Sequence, residues 1–230
     1  MTTIADNIAQ VRSRIHAAEQ AARRAGHSVH LLAVSKTKPA QALREAYAAG
    51  LRDFGENYLQ EALGKQAELT DLPLIWHFIG PIQSNKTRAI AEHFDWVHSV
   101  DRLKIAQRLS EQRPAELPPL NICIQVNVSG EASKSGCAPA DLPALASAIS
   151  TLPRLTLRGL MAIPEPTDDR AEQDAAFAAV QRLQASLDLP LDTLSMGMSH
   201  DLESAIAQGA TWVRVGTALF GARDYGQSPS

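Results

Sequence analysis

The sequence is poor in the features that staple small or exported proteins together. Its 230 residues include two cysteines, Cys123 and Cys137. They stand too far apart for a zinc or thioredoxin-type pair, and their scarcity fits a reducing compartment. No stretch approaches the ~20 consecutive apolar residues of a membrane span. The first 26 residues contain no continuous apolar core, so they do not read as a signal peptide. Basic blocks are also missing. The 22 basic and 25 acidic residues are spread along the chain and leave a net charge of −3, which argues against nucleic acid as a partner. The seven histidines show no HExxH or comparable spacing, so no metal site is expected. Low-complexity sequence is confined to the polar tail Gly226–Ser230, expected to be disordered. The expectation is a cytoplasmic protein with residues 1–230 in one domain.

What is present points to an alternating α/β fold. Ile4, Ile8, Val11, Ile15, Ala18 and Ala22 recur at steps of three and four and mark one face of an N-terminal helix. Thereafter β-rich runs at 31–35, 52–54, 74–79, 96–99, 121–127, 156–161, 193–195 and 212–215 alternate with helical patterns at 40–49, 56–68, 84–92, 102–112, 140–150, 170–187 and 201–208. Runs such as LLAVS and LNICIQVNV are apolar on both faces, as in parallel strands. Strict alternation implies parallel strands with helical crossovers. Eight such units most simply close into a single (β/α)8 TIM barrel with an extra N-terminal helix. A doubly wound open sheet is the alternative.

Several strands end in polar or small residues: SKTK at 35–38, GEN at 55–57, HFIG at 77–80, VNVSG at 126–130, SMGMS at 195–199 and RVGT at 214–217. In a barrel these ends share the C-terminal rim, where ligand groups gather. Lys36 follows an apolar strand directly. Desolvation there favours a free amine, which forms imines with aldehydes; a lysine reaching solvent along its stem is the plain alternative. Gly216 and Thr217 open a short terminal helix whose first amides suit a phosphate, and Ser199 can add a hydroxyl; a tight turn and a helix cap are the plain readings. Arg214, in the last strand, needs an acceptor, either a carboxylate such as Asp201 or a ligand. Ser199, His200 and Asp201 are consecutive and cannot form a relay triad. His77 and His98 close strands, Asn57 follows the second strand, and Met161 reads as barrel packing.

The segments AVSKTKP (33–39), FGENYLQEA (54–62), WHFIGPIQSNK (76–86), RGLMAIP (158–164), LSMGMSHD (194–201) and VRVGTALFG (213–221) resemble the pyridoxal phosphate homeostasis family, also called YggS- or PROSC-type proteins. That family is similar to the N-terminal barrel of alanine racemase, the third fold type of pyridoxal phosphate (PLP) proteins. The resemblance implies a cofactor set of Lys36, Asn57, His77, Met161, Ser199, Arg214, Gly216 and Thr217. Lys36 would carry PLP covalently as an aldimine. Ser199 and the amides of Gly216 and Thr217 would hold its phosphate. Arg214 would face the pyridine nitrogen and weaken the ring as an electron sink. Asn57 would line the ring, with His77 and Met161 on the pocket wall.

Differences from a racemase matter equally. Racemisation needs two acid/base groups on opposite faces of the α-carbon. The racemases draw the second, a tyrosine, from an additional domain. Tyr47, Tyr58 and Tyr225 are the tyrosines here, and none lies in an appended domain. The expectation is therefore a non-enzymatic protein that carries or buffers the cofactor within the cell, as a monomer, with PLP-dependent apo-enzymes as recipients. An amino-acid racemase with an unrecognised second base is one alternative; a class I aldolase using the same lysine is another.

Overall fold

The computed structural model describes residues 1–132 and 134–222; Tyr225 and the tail 226–230 lie outside the described residues. Helix α1 (Ile4–Ala21) precedes an unbroken alternation. It runs β1 (His30–Val34), α2 (Ala40–Ala48), β2 (Asp53–Glu56), α3 (Leu59–Glu68), β3 (Ile75–Phe78), α4 (Thr87–His93), β4 (Trp96–Val100), α5 (Leu103–Gln112) and β5 (Leu120–Gln125). It continues through α6 (Leu142–Ser150), β6 (Leu155–Met161), α7 (Arg170–Ala185), β7 (Thr193–Ser195), α8 (Leu202–Ala207), β8 (Trp212–Val215) and the one-turn α9 (Thr217–Phe220). Each strand pairs in parallel with the next, and β8 returns to β1 with His30 opposite Trp212 and Ala33 opposite Val215. The sheet is the closed (β/α)8 barrel read from the alternation, not the open sheet. Among the described residues, no helix is long and apolar enough to cross a membrane.

Local chemistry explains the boundaries. Thr3 accepts from the Asp6 amide while the Asp6 carboxylate accepts from the Thr3 amide, a reciprocal cap that starts α1. The periodic residues Ile8, Val11, Ile15 and Ala18 are buried on its inner face. The helix packs across α2, α8 and α9. Most boundaries shift by one to three residues from expectation, and two of the shifts bear on the site. Strand β2 extends to Glu56, and α3 begins at Leu59 rather than at Glu56. The reason is cross-strand pairing: Glu56 stands opposite Phe78 in the β2–β3 ladder, which outweighs glutamate's preference for a helix. Asn57 is thereby placed on the rim.

Two apolar cores result. One fills the space between the strands and the helices. The other occupies the barrel lumen, where Leu32, Ile79, Trp96, Cys123, Met161 and Trp212 meet. The lumen is not purely apolar. His77 is fully buried there, its ring stacked on Trp96 at 5.5 Å between centroids. His98 is fully buried beside it, with 2.9 Å between their facing nitrogens. Burial holds both imidazoles below the ordinary histidine pKa, His98 strongly so.

Those depressed values make stability pH-dependent. In the unfolded chain each histidine titrates near ~6.5. Below that pH the unfolded state takes up protons that the folded state refuses, so stability is lost as pH falls. The effect is at most about 1.4 kcal/mol per pH unit for each histidine. Glu56 acts in the opposite sense, because burial raises its carboxyl pKa. We expect the thermal midpoint to fall between pH 7.5 and pH 5.5, and His98→Gln to flatten that dependence. Circular dichroism melts of both proteins across this range check it; equal slopes would contradict it.

Candidate cofactor site at the C-terminal rim

The ladder between β1 and β2 aligns Val34 with Gly55, and the Ser35 amide continues it by donating to the Gly55 carbonyl at 3.0 Å. Continuing that register sets Ser35 beside Glu56 and then Lys36 beside Asn57 at the rim. On the other side of β1, the carbonyl of Val34 faces Gly216, where an added Cβ would come within 3.2 Å of it. That contact is tighter than ordinary packing, so a side chain there requires β1 to give by a few tenths of an ångström. A bulky side chain at Gly216 would strike Val34 in the barrel wall, not only a group bound above it. Beyond β7 the chain keeps bonding to β8, with the Met196 amide donating to the Trp212 carbonyl and the Arg214 amide to the Gly197 carbonyl. This carries Ser199 towards the same rim. Arg14 of α1 secures it from outside, donating to the Ser199 carbonyl at 2.8 Å and pairing with Glu203. Ser199 is not the cap of α8; Asp201 occupies that position and accepts from the Met198 amide at 2.7 Å.

The backbone around Lys36 is clamped on both sides. Lys65 of α3, buried, donates to the Ser35 carbonyl at 2.6 Å, to Glu56 at 2.7 Å and to Glu61 at 2.8 Å. These bonds use all three of its protons. Glu61 also accepts from the Thr37 amide, and Glu56 from the Ser35 hydroxyl. The residues before and after Lys36 are thus tied to one buried ionic cluster. Thr37 adopts a left-handed conformation, φ 66°. For a residue with a Cβ that costs roughly 1 kcal/mol, which the bond to Glu61 offsets. Lys36 itself is half-buried.

Arg214 is buried, 4% exposed, and points into the lumen from β8. It donates to Ser195 Oγ at 2.8 Å and to the Ala162 carbonyl at 3.0 Å. Both partners are neutral, and among the described residues no carboxylate lies within ion-pair distance of it. Burial lowers its pKa to about 10, so it remains a cation at neutral pH. Asp201, the carboxylate expected from sequence, acts on it only at longer range. Asn57 Oδ1 is buried and, among the described residues, has no hydrogen-bond partner. An unneutralised buried cation and an orphaned acceptor beside a lysine suit a ligand with an aromatic nitrogen, a donor group and an aldehyde.

The expected residues divide into two levels. Lys36, Asn57, Ser199, Gly216 and Thr217 stand on the rim, half-buried or exposed, with Arg214 directly beneath. His77 and Met161, expected on the pocket wall, are fully buried in the lumen. Both ring nitrogens of His77 are engaged, by His98 and by Asp53 at 2.8 Å. Sequence reasoning missed two groups: Ser195, the partner of Arg214, which lies 2.7 Å from the strand-end His98 named from sequence; and the Glu56–Lys65–Glu61 cluster. The last had one available signal, the four-residue spacing of Glu61 and Lys65 on a helix.

Residues 4–224 match the alanine racemase N-terminal domain family. A pyridoxal phosphate homeostasis protein of Pseudomonas aeruginosa is 77% identical over 230 residues, covering 100% of both chains. One of the same name from Escherichia coli K12 is 55% identical, over 98% of this chain and 99% of the other. Among solved structures, PipY of Synechococcus elongatus is 47% identical and covers 95% of this chain and 100% of its own. Its TM-score is 0.85 without PLP and 0.84 with PLP bound. An alanine racemase of Clostridium difficile shares the fold, with a TM-score of 0.73 at 13% identity over 98% of this chain and 58% of the racemase. With the barrel, the rim lysine and these relatives together, the chain belongs to the pyridoxal phosphate homeostasis protein family, built on the alanine racemase N-terminal domain.

Proposed function

We propose that this protein binds pyridoxal phosphate through a covalent link at Lys36 and carries or buffers it for the cell, without substantial catalysis of its own. The observation that carries this reading is the pairing of a rim lysine, braced on both sides, with a buried arginine that has only neutral partners. When bound, the cofactor supplies an aldehyde for a reversible imine and an anionic tail for anchoring. The chain's own groups divide the remaining work. Lys36 provides the amine. Arg214 presents N–H donors towards the ring nitrogen and keeps protons off it. Ser199, with the first amides of α9 at Gly216 and Thr217, receives the phosphate, since opening amides of a helix lack intrahelical acceptors. Asn57 offers its unpartnered oxygen at the ring edge. His77 and Met161 complete the floor from below.

Handing the cofactor to PLP-dependent apo-enzymes needs only exchange of one amine for another, or hydrolysis, at a half-buried rim. A racemase would need a second acid/base group across the α-carbon. Of the described tyrosines, Tyr47 lies beneath the Arg52 guanidinium, 3.8 Å from its ring centroid, and Tyr58 is exposed at the start of α3. Neither has a hydrogen bond that would activate it among the described residues.

Borohydride reduction of the PLP-loaded protein followed by peptide mass spectrometry should place the cofactor's mass on the peptide containing Lys36. Lys36→Ala should abolish the yellow absorption and leave the circular dichroism spectrum intact. An adduct on Lys38 or Lys65 instead, or exchange of an amino acid's α-hydrogen with solvent deuterium at enzymatic rates, would overturn the assignment.

The clamp makes a separate prediction. Lys65→Met leaves the Glu56 carboxylate buried without its cation, at a cost of about 3 kcal/mol. A thermal midpoint lowered by several degrees is expected, together with weaker cofactor retention on gel filtration. An unchanged midpoint would show that the cluster does not brace the Lys36 turn.

A further inference from the structure

The lumen contains a line of polar groups whose two ends have fixed hydrogen-bonding character. At the rim end, Arg214 lies 2.8 Å from Ser195 Oγ, and a guanidinium can only donate. At the opposite end, Asp53 Oδ1 lies 2.8 Å from His77 Nε2, and an ionised carboxylate can only accept. Between them, Ser195 Oγ is 2.7 Å from His98 Nδ1, and His98 Nε2 is 2.9 Å from His77 Nδ1. A neutral imidazole has one N–H and one bare nitrogen. One arrangement then satisfies every link. His77 donates from Nε2 to Asp53 and accepts at Nδ1 from His98 Nε2–H. His98 accepts at Nδ1 from the Ser195 hydroxyl, and that hydroxyl accepts from Arg214. All four bonds point from the arginine to the aspartate.

We propose that Asp53, His77, His98 and Ser195 are positioning residues for Arg214: anchored by a carboxylate at the far face of the barrel, they fix the guanidinium as a donor beneath the cofactor ring. The proposal rests on the function proposed above only for what Arg214 faces; the direction of the chain follows from the geometry. Asp53 begins β2 at the N-terminal face, on the wall of a cavity of about 850 Å³ that Arg52 and His30 also line. Its side chain is 24% exposed, whereas His77 and His98 are fully buried. Solvent therefore reaches the chain from the face opposite the cofactor.

An added proton has a defined consequence. On His77 it occupies Nδ1 and confronts His98 Nε2–H, so His98 must move its own proton to Nδ1. That proton confronts the Ser195 hydroxyl, which must turn away from His98. Protonating His98 directly has the same end. Either event changes what lies against Arg214. The charged and titratable groups nearby are Asp95 and His30 around His77, and Cys123 and Asp201 around Arg214. Cys123 is inert in this range, its thiol pushed up to about 12 by burial.

Nitrogen NMR of the full chain labelled in histidine, recorded without cofactor at pH 7, tests the direction. Two of the seven histidines should be neutral with the proton on Nε2, and His77→Gln and His98→Gln assign them. In Asp53→Asn the single tautomer should give way to a mixture. With PLP bound, Ser195→Ala and Asp53→Asn should both shift the pH midpoint of the cofactor's absorption band in one direction. Ser195→Thr, which keeps the hydroxyl, should restore it. A proton on Nδ1 of either histidine in the parent protein overturns the chain's direction and the proposal. Correct tautomers with band and midpoint unmoved in both variants overturn the positioning role. If the parent takes up no PLP, the functional reading fails and the role towards the ring fails with it, while the tautomers still decide the direction.

Discussion

Closure of β8 onto β1 is the contact on which the rest of the structure depends. It brings the first and last strands of the chain side by side, so that Lys36 and Gly216, 180 residues apart in sequence, share one rim. It also defines an inside. Once the sheet is closed, alternate residues of every strand point into a space that water does not fill, and any polar group there must find its partner across the lumen. Arg214 and Ser195 meet for this reason, and so do His77 and Asp53. An open sheet with the same strands would expose each of these groups to solvent and remove the need for the chain they form.

Among the described residues three cations are buried: Arg113, held by the carbonyls of Ala91, Phe94 and Pro118, and the two near the rim, Lys65 and Arg214, which are treated differently. Lys65 is surrounded by two carboxylates and a carbonyl, and its charge is compensated where it sits. That is the signature of a structural ion cluster, and its effect is mechanical, since it ties down the turn that carries Lys36. Arg214 has no such compensation and keeps its charge against a hydroxyl and a carbonyl. Leaving a buried guanidinium in that state costs free energy, and guanidinium tolerates it better than an ammonium because its charge is delocalised and weakly hydrated. A lysine at 214 would hold its charge less well there, as a compact and strongly hydrated ammonium whose pKa shifts readily on burial.

The barrel was legible in the sequence because strand and helix differ in hydrophobic period. The β7 and β8 runs at 193–195 and 212–215 coincide with the observed strands. The rim residues were legible for a related reason: polar residues at the ends of apolar runs have few other places to go. What the sequence concealed is cross-strand. Glu56 looked like the start of a helix because its pairing with Phe78 depends on register, which a single strand does not encode. Ser195 looked like one more small residue in SMGMS, and its neighbour His98 is 97 positions away. The pocket-wall role of His77 and Met161 is implied by the family resemblance alone, and both side chains are fully buried in the lumen.

Under the proposed function, this layering lets one site hold a reactive aldehyde and still give it up. Tightness and release make opposite demands if the same groups serve both. Here the fully buried floor, with its fixed donors, is rigid before any ligand arrives, so ordering it adds no entropy cost on binding. The rim is where bonds must form and break, and Lys36, Ser199 and Thr217 there retain access to water. Under the proposed function, a rim within reach of water above a buried floor suits exchange of the bound group.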